Sequence, residues 1–241
     1  MEVTVPEPEP DIARGMVLYL NFDDNNDGDL QVSDLSGNDN HGSIMDVDKV
    51  SFVDNGGLGK AIKFGGIDNP TQITVPNAPS LNFTDALTVS YWVKIDNTKG
   101  IDGNFNYKDK GNQKVFYKGD SFHNLIYTEM ENNLLLLRSG SSDYILINDA
   151  SFGSVINQWS HVTFVIAGNT VQAYLNGDKA GEVELLNIDF SDANANDLYI
   201  GRGDDCLWYP LYGTIDEFRI YNRALTSAEV ELLSQFAAPE L

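Results

Sequence analysis

The sequence predicts an all-β fold, a sandwich or jelly roll with one short helix near its C-terminal end. Three observations carry that expectation. Apolar stretches of strand length recur along the chain, separated by clusters of Gly, Asn, Asp and Pro. Residues 87–95 alternate with period two, with Leu87, Val89, Tyr91, Val93 and Ile95 on one side and Thr88, Ser90, Trp92 and Lys94 on the other. Asn176-Gly177 places two residues tolerant of positive φ between apolar runs, as a two-residue hairpin turn requires.

The elements follow in order. Pro6-Glu7-Pro8-Glu9-Pro10 is an extended proline-and-acid spacer with nothing to pack. Residues 1–14 therefore read as a flexible linker or processed N-terminus, and 15–241 as one domain. Strands are expected at 16–22, 60–64, 72–75 and 87–95, then at 114–118, 124–128, 134–138 and 144–147. Residues 159–166 form the next strand, and 170–175 and 179–184 the hairpin joined by Asn176-Gly177. Residues 198–200 and 214–221 complete the set. The helix signal is Thr226-Ser227-Ala228-Glu229, a capping box in which the threonine hydroxyl accepts from the Glu229 amide while the glutamate reaches back. Leu225 and Val230 flank it as a staple, and Val230, Leu233 and Ala237 repeat at helical spacing.

Composition bounds the function. With 241 residues, 42% hydrophobic and 11% aromatic, the chain can bury a large core without disulfide or metal staples. Its 15 basic and 36 acidic residues leave a net charge of −21. Such a field repels phosphate backbones and anionic lipid, which argues against nucleic-acid and membrane-surface functions, and it favours cations and neutral polar ligands. The longest apolar runs, such as 162–167, are too short to span a bilayer. Cys206 is the only cysteine, so no disulfide can form within the chain. Asp204 and Asp205 beside it oppose thiolate formation. His41, His123 and His161 are scattered without metal-ligand spacing.

One segment has the oxygen-rich spacing of a calcium loop. Residues 23–34 place Asp23, Asn25, Asp27, Asp29, Gln31 and Asp34 at the first, third, fifth, seventh, ninth and twelfth positions, with Gly28 at the sixth. Asp34 stands where the usual bidentate glutamate would be, and no helix flanks the loop. The other reading is a solvated acidic insertion between strands.

Several segments together resemble the laminin-G-like, concanavalin A-like jelly-roll family of bacterial surface and polysaccharide-degrading proteins. They are Leu18-Tyr-Leu-Asn-Phe-Asp-Asp24, Asp34-Leu-Ser-Gly-Asn-Asp-Asn-His-Gly42, Gly59-Lys-Ala-Ile-Lys-Phe-Gly-Gly66 and Leu87-Thr-Val-Ser-Tyr-Trp-Val-Lys94. Gln158-Trp-Ser-His-Val162, Val171-Gln-Ala-Tyr-Leu-Asn-Gly177 and Gly213-Thr-Ile-Asp-Glu-Phe-Arg-Ile-Tyr-Asn-Arg-Ala-Leu225 follow. The resemblance implies two curved antiparallel sheets, one convex and one concave. It also implies a structural calcium held by an aspartate on the last strand, which matches Asp216, with Asp23 and Gly66 as partners. Asp23 appears in both calcium schemes.

Catalysis is not expected. Hydrolases on this fold carry Glu-x-Asp-x-x-Glu or Glu-x-Asp-x-Glu on one strand, so that two carboxylates flank the scissile bond. That motif is absent; the nearest match, Glu129 and Glu131, reads as a hairpin end beside Asn132-Asn133. Asp216 and Glu217 are adjacent, which in a regular strand turns them to opposite faces. Sugar binding needs aromatic planes beside amides and carboxylates. Trp92 and Trp159 fall in strand motifs and are expected in the core. Trp208 and Tyr209, in a loop with Asp204, Asp205 and Tyr212, are the candidate ligand residues; Phe105, Tyr107 and Phe122-His123-Asn124 form a weaker cluster. The sequence thus points to a monomeric, non-catalytic glycan-binding module with structural calcium, extracellular, on a cell surface or periplasmic. A protein-binding adhesion domain and a divergent hydrolase or lyase are the alternatives.

Overall fold

The computed structural model describes residues 9–55, 58–96, 100–101, 107–108, 113–119, 126–131, 134–139, 142–147, 157–184, 188, 190–202 and 209–235. The first half of the chain contributes β1 (Met16–Leu20), β2 (Gln31–Val32), β3 (Gly42–Ile44), β4 (Val50–Asp54), β5 (Lys60–Gly65), β6 (Ile73–Val75), β7 (Ala86–Ile95), β8 (Gly100–Ile101), β9 (Tyr107–Lys108) and β10 (Gln113–Lys118). The second half adds β11 (Ile126–Glu131), β12 (Leu134–Ser139), β13 (Ser142–Ile147), β14 (Ser160–Ala167), β15 (Thr170–Leu175), β16 (Asp178–Glu184), α1 (Ser191–Ala195), β17 (Leu198–Ile200), β18 (Tyr212–Tyr221) and α2 (Ser227–Gln235).

Two eight-stranded antiparallel sheets form the sandwich. One runs β16-β15-β14-β7-β18-β5-β4, with β1 also on β18; the other runs β13-β12-β11-β10-β17-β6-β3-β2. The core lies between them. Leu87, Val89, Tyr91, Val93 and Ile95 all enter it, as the alternation requires. Tyr91 stacks on Phe218 at 5.9 Å, and Phe116 from the other sheet meets Phe218 edge-on at 5.8 Å. Those three rings tie the sheets together.

The opposite side of β7 is buried as well. Part of this outer face is roofed by α2, whose Val230 and Leu233 pack with Val165, Tyr174, Tyr221 and Leu225 in a second apolar cluster. The capping box forms: Thr226 N donates to Glu229 Oε2 at 2.8 Å, and Glu229 N donates to Thr226 Oγ1 at 3.2 Å. Arg223 also pairs with Glu229, at 2.8 Å. The hairpin turn is as expected, with Asn176 at φ 54° and Gly177 at φ 89°. Strand β11 ends at Glu131, opposite Leu134 of β12, so Glu129 and Glu131 do stand at the end of a hairpin.

Three differences have physical reasons. Strand β1 stops at Leu20 because Phe22 turns to φ 61°, and the chain leaves the sheet there. The edge strand β4 is half-buried along most of its length, so it lacks the clean alternation that reveals a strand. Trp159 is only half-buried, with Lys94 Nζ 5.8 Å from its ring centre, whereas Trp92 is buried as expected.

Candidate functional site

Strand β18 has one edge with two partners. Its first part pairs with β5, from Tyr212↔Gly65 to Ile215↔Ile62, and its last part pairs with β1, from Phe218↔Leu20 to Tyr221↔Met16. At the change-over, Asp216–Glu217, the register with β7 shifts and Glu217 takes φ 53°. A bulge of this kind re-aims side chains. It overturns the expectation of opposite faces for these two carboxylates: Glu217 accepts from Tyr19 Oη at 2.9 and 3.1 Å and pairs with Arg219, on the same outer face that carries Asp216 beside Trp92. The Arg219 guanidinium lies 4.1 Å over the Tyr19 ring.

Asp216 sits in the gap between the ends of β1 and β5. It is fully buried. Its Oδ1 accepts from Glu217 N and its Oδ2 from Asn55 Nδ2, each at 2.7 Å. Asp23, just past β1, accepts from Lys60 N at 2.9 Å and from Asn21 Nδ2 at 2.7 Å. Gly59 stands at φ 82°, and a Cβ there would collide with Asp23 Oδ1, so the glycine serves both the turn and the close approach. Burial pushes the Asp216 carboxyl up to about 8; the charges of Glu217 and Asp23 add to the rise, and its two hydrogen bonds oppose it.

The donor set fits a hard cation. Asn55 Oδ1 is buried and receives no hydrogen bond. An amide's oxygen and nitrogen are interchangeable in outline. With the amide turned over, its oxygen would lie beside Asp216 Oδ2, an oxygen pair that either a proton on the raised Asp216 carboxyl or a bound cation makes favourable. Two carboxylates and an amide oxygen are calcium ligands by type. Among the described residues, no three His, Cys, Asp or Glu side chains gather as a metal group. Asn55 is the neighbour of Asp216 that sequence reasoning missed, because Asp54-Asn55-Gly56-Gly57 reads simply as a turn.

The acidic segment does not converge on one point. Asn25 Nδ2 donates to Gln31 O at 2.8 Å. Asp27 Oδ1 accepts from Phe52 N of β4 at 2.8 Å, and Asp29 Oδ2 from Asn26 N at 2.7 Å. Asp34 is buried and organises the turn after β2, accepting from Tyr19 N, Ser36 N, Ser36 Oγ and Asn40 N at 2.8–2.9 Å. The cation in this loop is Lys60, whose Nζ donates to Asn25 O at 2.8 Å and Asn26 Oδ1 at 3.0 Å. In this structure the side chains of Asn25, Asp27 and Asp29 are engaged in hydrogen bonds within the loop and to β4. Gly66, the other expected metal partner, lies at the far end of β5 from Lys60, beside Tyr212.

The aromatic loop is described from Tyr209 onward; Asp204, Asp205 and Trp208 lie outside the described residues, as do Cys206, Phe105, Phe122 and His123. Tyr209 is half-buried at φ 58°, an uncommon conformation for a bulky residue, immediately before the buried Pro210. Its carbonyl accepts from Lys114 N at 2.8 Å. Lys114 Nζ lies 4.9 Å from the Tyr209 ring centre and 4.8 Å from that of Tyr117. Tyr117 in turn packs on Tyr199 at 6.2 Å, on the outer face of the second sheet. Tyr212 goes elsewhere: it begins β18 in the first sheet and lies against Gly66, where a Cβ would come within 2.8 Å of its own.

An antiparallel two-sheet sandwich with its last strand roofed by a short helix, and tyrosines on an outer sheet face, defines a jelly-roll domain of the lectin-like class. Residues 68–231 match the Laminin_G_3 family model, described as the concanavalin A-like lectin/glucanases superfamily, and the chain belongs to that family. No curated protein matches it. Among solved structures it is similar to the binding domain of Paraclostridial Mosquitocidal Protein 1, at 22% identity and a TM-score of 0.68, over 93% of this chain and 52% of that one. It is similar to Domain 4 of AbnA, a GH43 extracellular arabinanase from Geobacillus stearothermophilus solved with arabinotriose, at 23% identity and a TM-score of 0.64, over 91% and 98%. The binding domain of botulinum neurotoxin DC, solved in complex with SialylT, matches at 15% identity and a TM-score of 0.63, over 93% and 52%. The chain therefore spans about half the length of the toxin binding domains. No helix of the described residues is long and apolar enough to cross a membrane.

Proposed function

We propose that this domain is a non-catalytic glycan-binding module, extracellular or on a cell surface, stiffened by one calcium ion. The observation that carries the glycan reading is the half-buried Tyr209, whose ring lies 4.9 Å from the Lys114 ammonium, itself anchored 4.8 Å from the ring of the buried Tyr117. Fixed aromatic planes bind sugar C–H faces with little ordering cost. Trp208, Asp204 and Asp205 precede Tyr209 in the sequence, and they would supply a second ring and two acceptors for sugar hydroxyls. Similar domains solved with arabinotriose and SialylT support the same class of ligand. The absence of the paired-carboxylate motif supports binding without hydrolysis. Screening against a glycan array, with calcium and with chelator, tests the proposal; no glycan bound under either condition would reject it.

The calcium belongs at Asp216, Asp23 and Asn55. There it would relieve a buried carboxylate and use an amide oxygen that otherwise has no partner.

A protein-binding role draws on a different observation. Leu30 and Met45 are 68% and 51% exposed at the β2–β3 edge. Loss of cell adhesion on Leu30→Ser and Met45→Ser, with glycan binding absent, would favour it.

A further inference from the structure

Lys118 closes β10 on the core side of the second sheet, where it pairs in register with the core residue Leu198 of β17. Only 2% of it is exposed. Lysine is seldom buried so far without a paired charge, yet among the described residues its acceptors are neutral. Nζ donates to Asn77 Oδ1 at 2.8 Å and to Asn196 O at 2.6 Å. Both β10 and β6 run antiparallel to β17, which lies between them. The end of β10, the turn after β6 that carries Asn77, and the start of β17 after Asn196-Asp197 therefore meet at one end of the sheet.

The Asn77 amide is held from both sides. Its oxygen accepts from Lys118, and its Nδ2 donates to Asn194 O at 2.6 Å, so the carbonyl is turned toward the amine. With a C=O bond of about 1.23 Å, Nζ lies no more than about 4 Å from Asn77 Cγ. A near-attack geometry needs roughly 3–3.5 Å. Asp197 is tied to the same residue, its Oδ1 accepting from Asn77 N at 2.7 Å. Burial lowers the Lys118 ammonium to about 8, and the Asp197 charge opposes the fall. Roughly a tenth of the molecules then hold a neutral amine at pH 7, and a desolvated neutral amine is a nucleophile.

We propose that Lys118 and Asn77 form a self-modification site, at which the chain cross-links itself through an isopeptide bond between Nζ and Cγ. The Lys118 ammonium first loses one proton to solvent. Its lone pair then forms the Nζ–Cγ bond while the carbonyl π pair moves onto Oδ1. Asp197 takes a proton from Nζ and passes it to Nδ2. The carbonyl re-forms as the Cγ–Nδ2 bond breaks, and ammonia departs and takes up a proton from water. A lysine ammonium and an asparagine amide thus become a secondary amide and an ammonium ion, with no oxidant, cofactor or other reactant. Burial favours the product, which carries no charge and so removes the cost of an ammonium in the sandwich interior. The bond would join positions 41 residues apart and tie β10 to β6 over β17, which restricts the unfolded chain as a disulfide does.

Intact-mass measurement and peptide mapping of the folded protein test this. The protein should be lighter than its sequence by one ammonia, and digestion should yield a branched peptide that joins Asn77 to Lys118. Succinimide formation at an Asn-Gly pair such as Asn176-Gly177 loses the same mass, so the branched peptide is the deciding readout. Lys118→Arg keeps the charge, and Asp197→Asn keeps an acceptor for Asn77 N. Both should retain the circular dichroism of the parent, show the full sequence mass and melt at a lower temperature. The parent protein's own peptide map decides the matter even where a variant fails to fold. A parent at full sequence mass, or an ammonia loss that maps to another asparagine, overturns the proposal. An undiminished branched peptide in Asp197→Asn overturns the proton route through that carboxylate.

Discussion

Asn55 Nδ2 donates to Asp216 Oδ2 at 2.7 Å across 161 positions of sequence, inside the gap where β18 exchanges β5 for β1. The contact closes that gap, and it leaves the amide's own oxygen buried and unpaired. It makes Asp216 the pivot of this end of the sheet.

Calcium should therefore raise the melting temperature, and chelator should lower it, because a ligand held only by the folded state stabilises it by RT ln(1 + [L]/Kd). Asp216→Ala should abolish the calcium response. Asp27→Ala, which removes one hydrogen bond to an edge strand, should leave the response intact. Melting curves with calcium and with chelator check this; a response lost in Asp27→Ala and kept in Asp216→Ala would reverse the assignment.

Asp34→Ala should destabilise the protein whether or not calcium is present. Four donors converge on that buried carboxylate, and leaving them unpaired should cost roughly 2–4 kcal/mol. Urea denaturation in calcium and in chelator should show the same loss in both.

Trp208→Ala and Tyr209→Ala should each weaken glycan binding by roughly 1–3 kcal/mol, the scale of one aromatic anchor. Tyr209 stands at φ 58°, a backbone cost that alanine keeps because it retains the Cβ, so Tyr209→Ala tests the loss of the ring and not relief of strain. Calorimetric titration beside thermal melting separates binding from stability. A large stability loss without a binding loss would place these rings in structural roles.

Acid should unfold the domain through His161. Burial, helped by the Arg219 charge, lowers its pKa to about 3, and Nε2 lies 2.8 Å from Ser90 Oγ. The unfolded chain takes up this proton near pH 6.5, whereas the folded chain refuses it until about 3. Stability should thus fall by several kcal/mol as pH drops across that window. Glu229 acts further down: burial alone would raise it, but Arg223 and the amides of Thr226 and Asp11 hold it at about 2, so its contribution disappears as pH falls from 4.5 to that value. Urea midpoints against pH should be flatter between 6.5 and 3 in His161→Gln.

Thr226→Ala should cost about 1 kcal/mol through the lost N-cap. Glu229→Ala should cost more, because it removes the reciprocal bond of the box and leaves the Arg223 guanidinium without its carboxylate. Urea denaturation of both variants checks the order.

The sequence by itself determined what local sterics determine. Residues 87–95 alternate because successive side chains of a strand must face opposite ways, and their core side was legible without coordinates. Asn176-Gly177 and the Thr226–Glu229 box are settled within four residues, so turn and helix start were equally plain. The spacing of residues 23–34 was as visible, but spacing does not say where oxygens point. Only the folded chain brought Lys60 into that loop and turned Asp34 toward β1. The tertiary structure likewise decided that Asp216 and Glu217 share a face, because the bulge arises where one strand meets the ends of two others. It chose Asn55 over Gly66 as the neighbour of Asp216, and it set Lys114 beside Tyr209 and Tyr117. Each of these depends on the register between strands distant in sequence, which is fixed by packing across the whole sandwich and leaves no trace in any short stretch of residues.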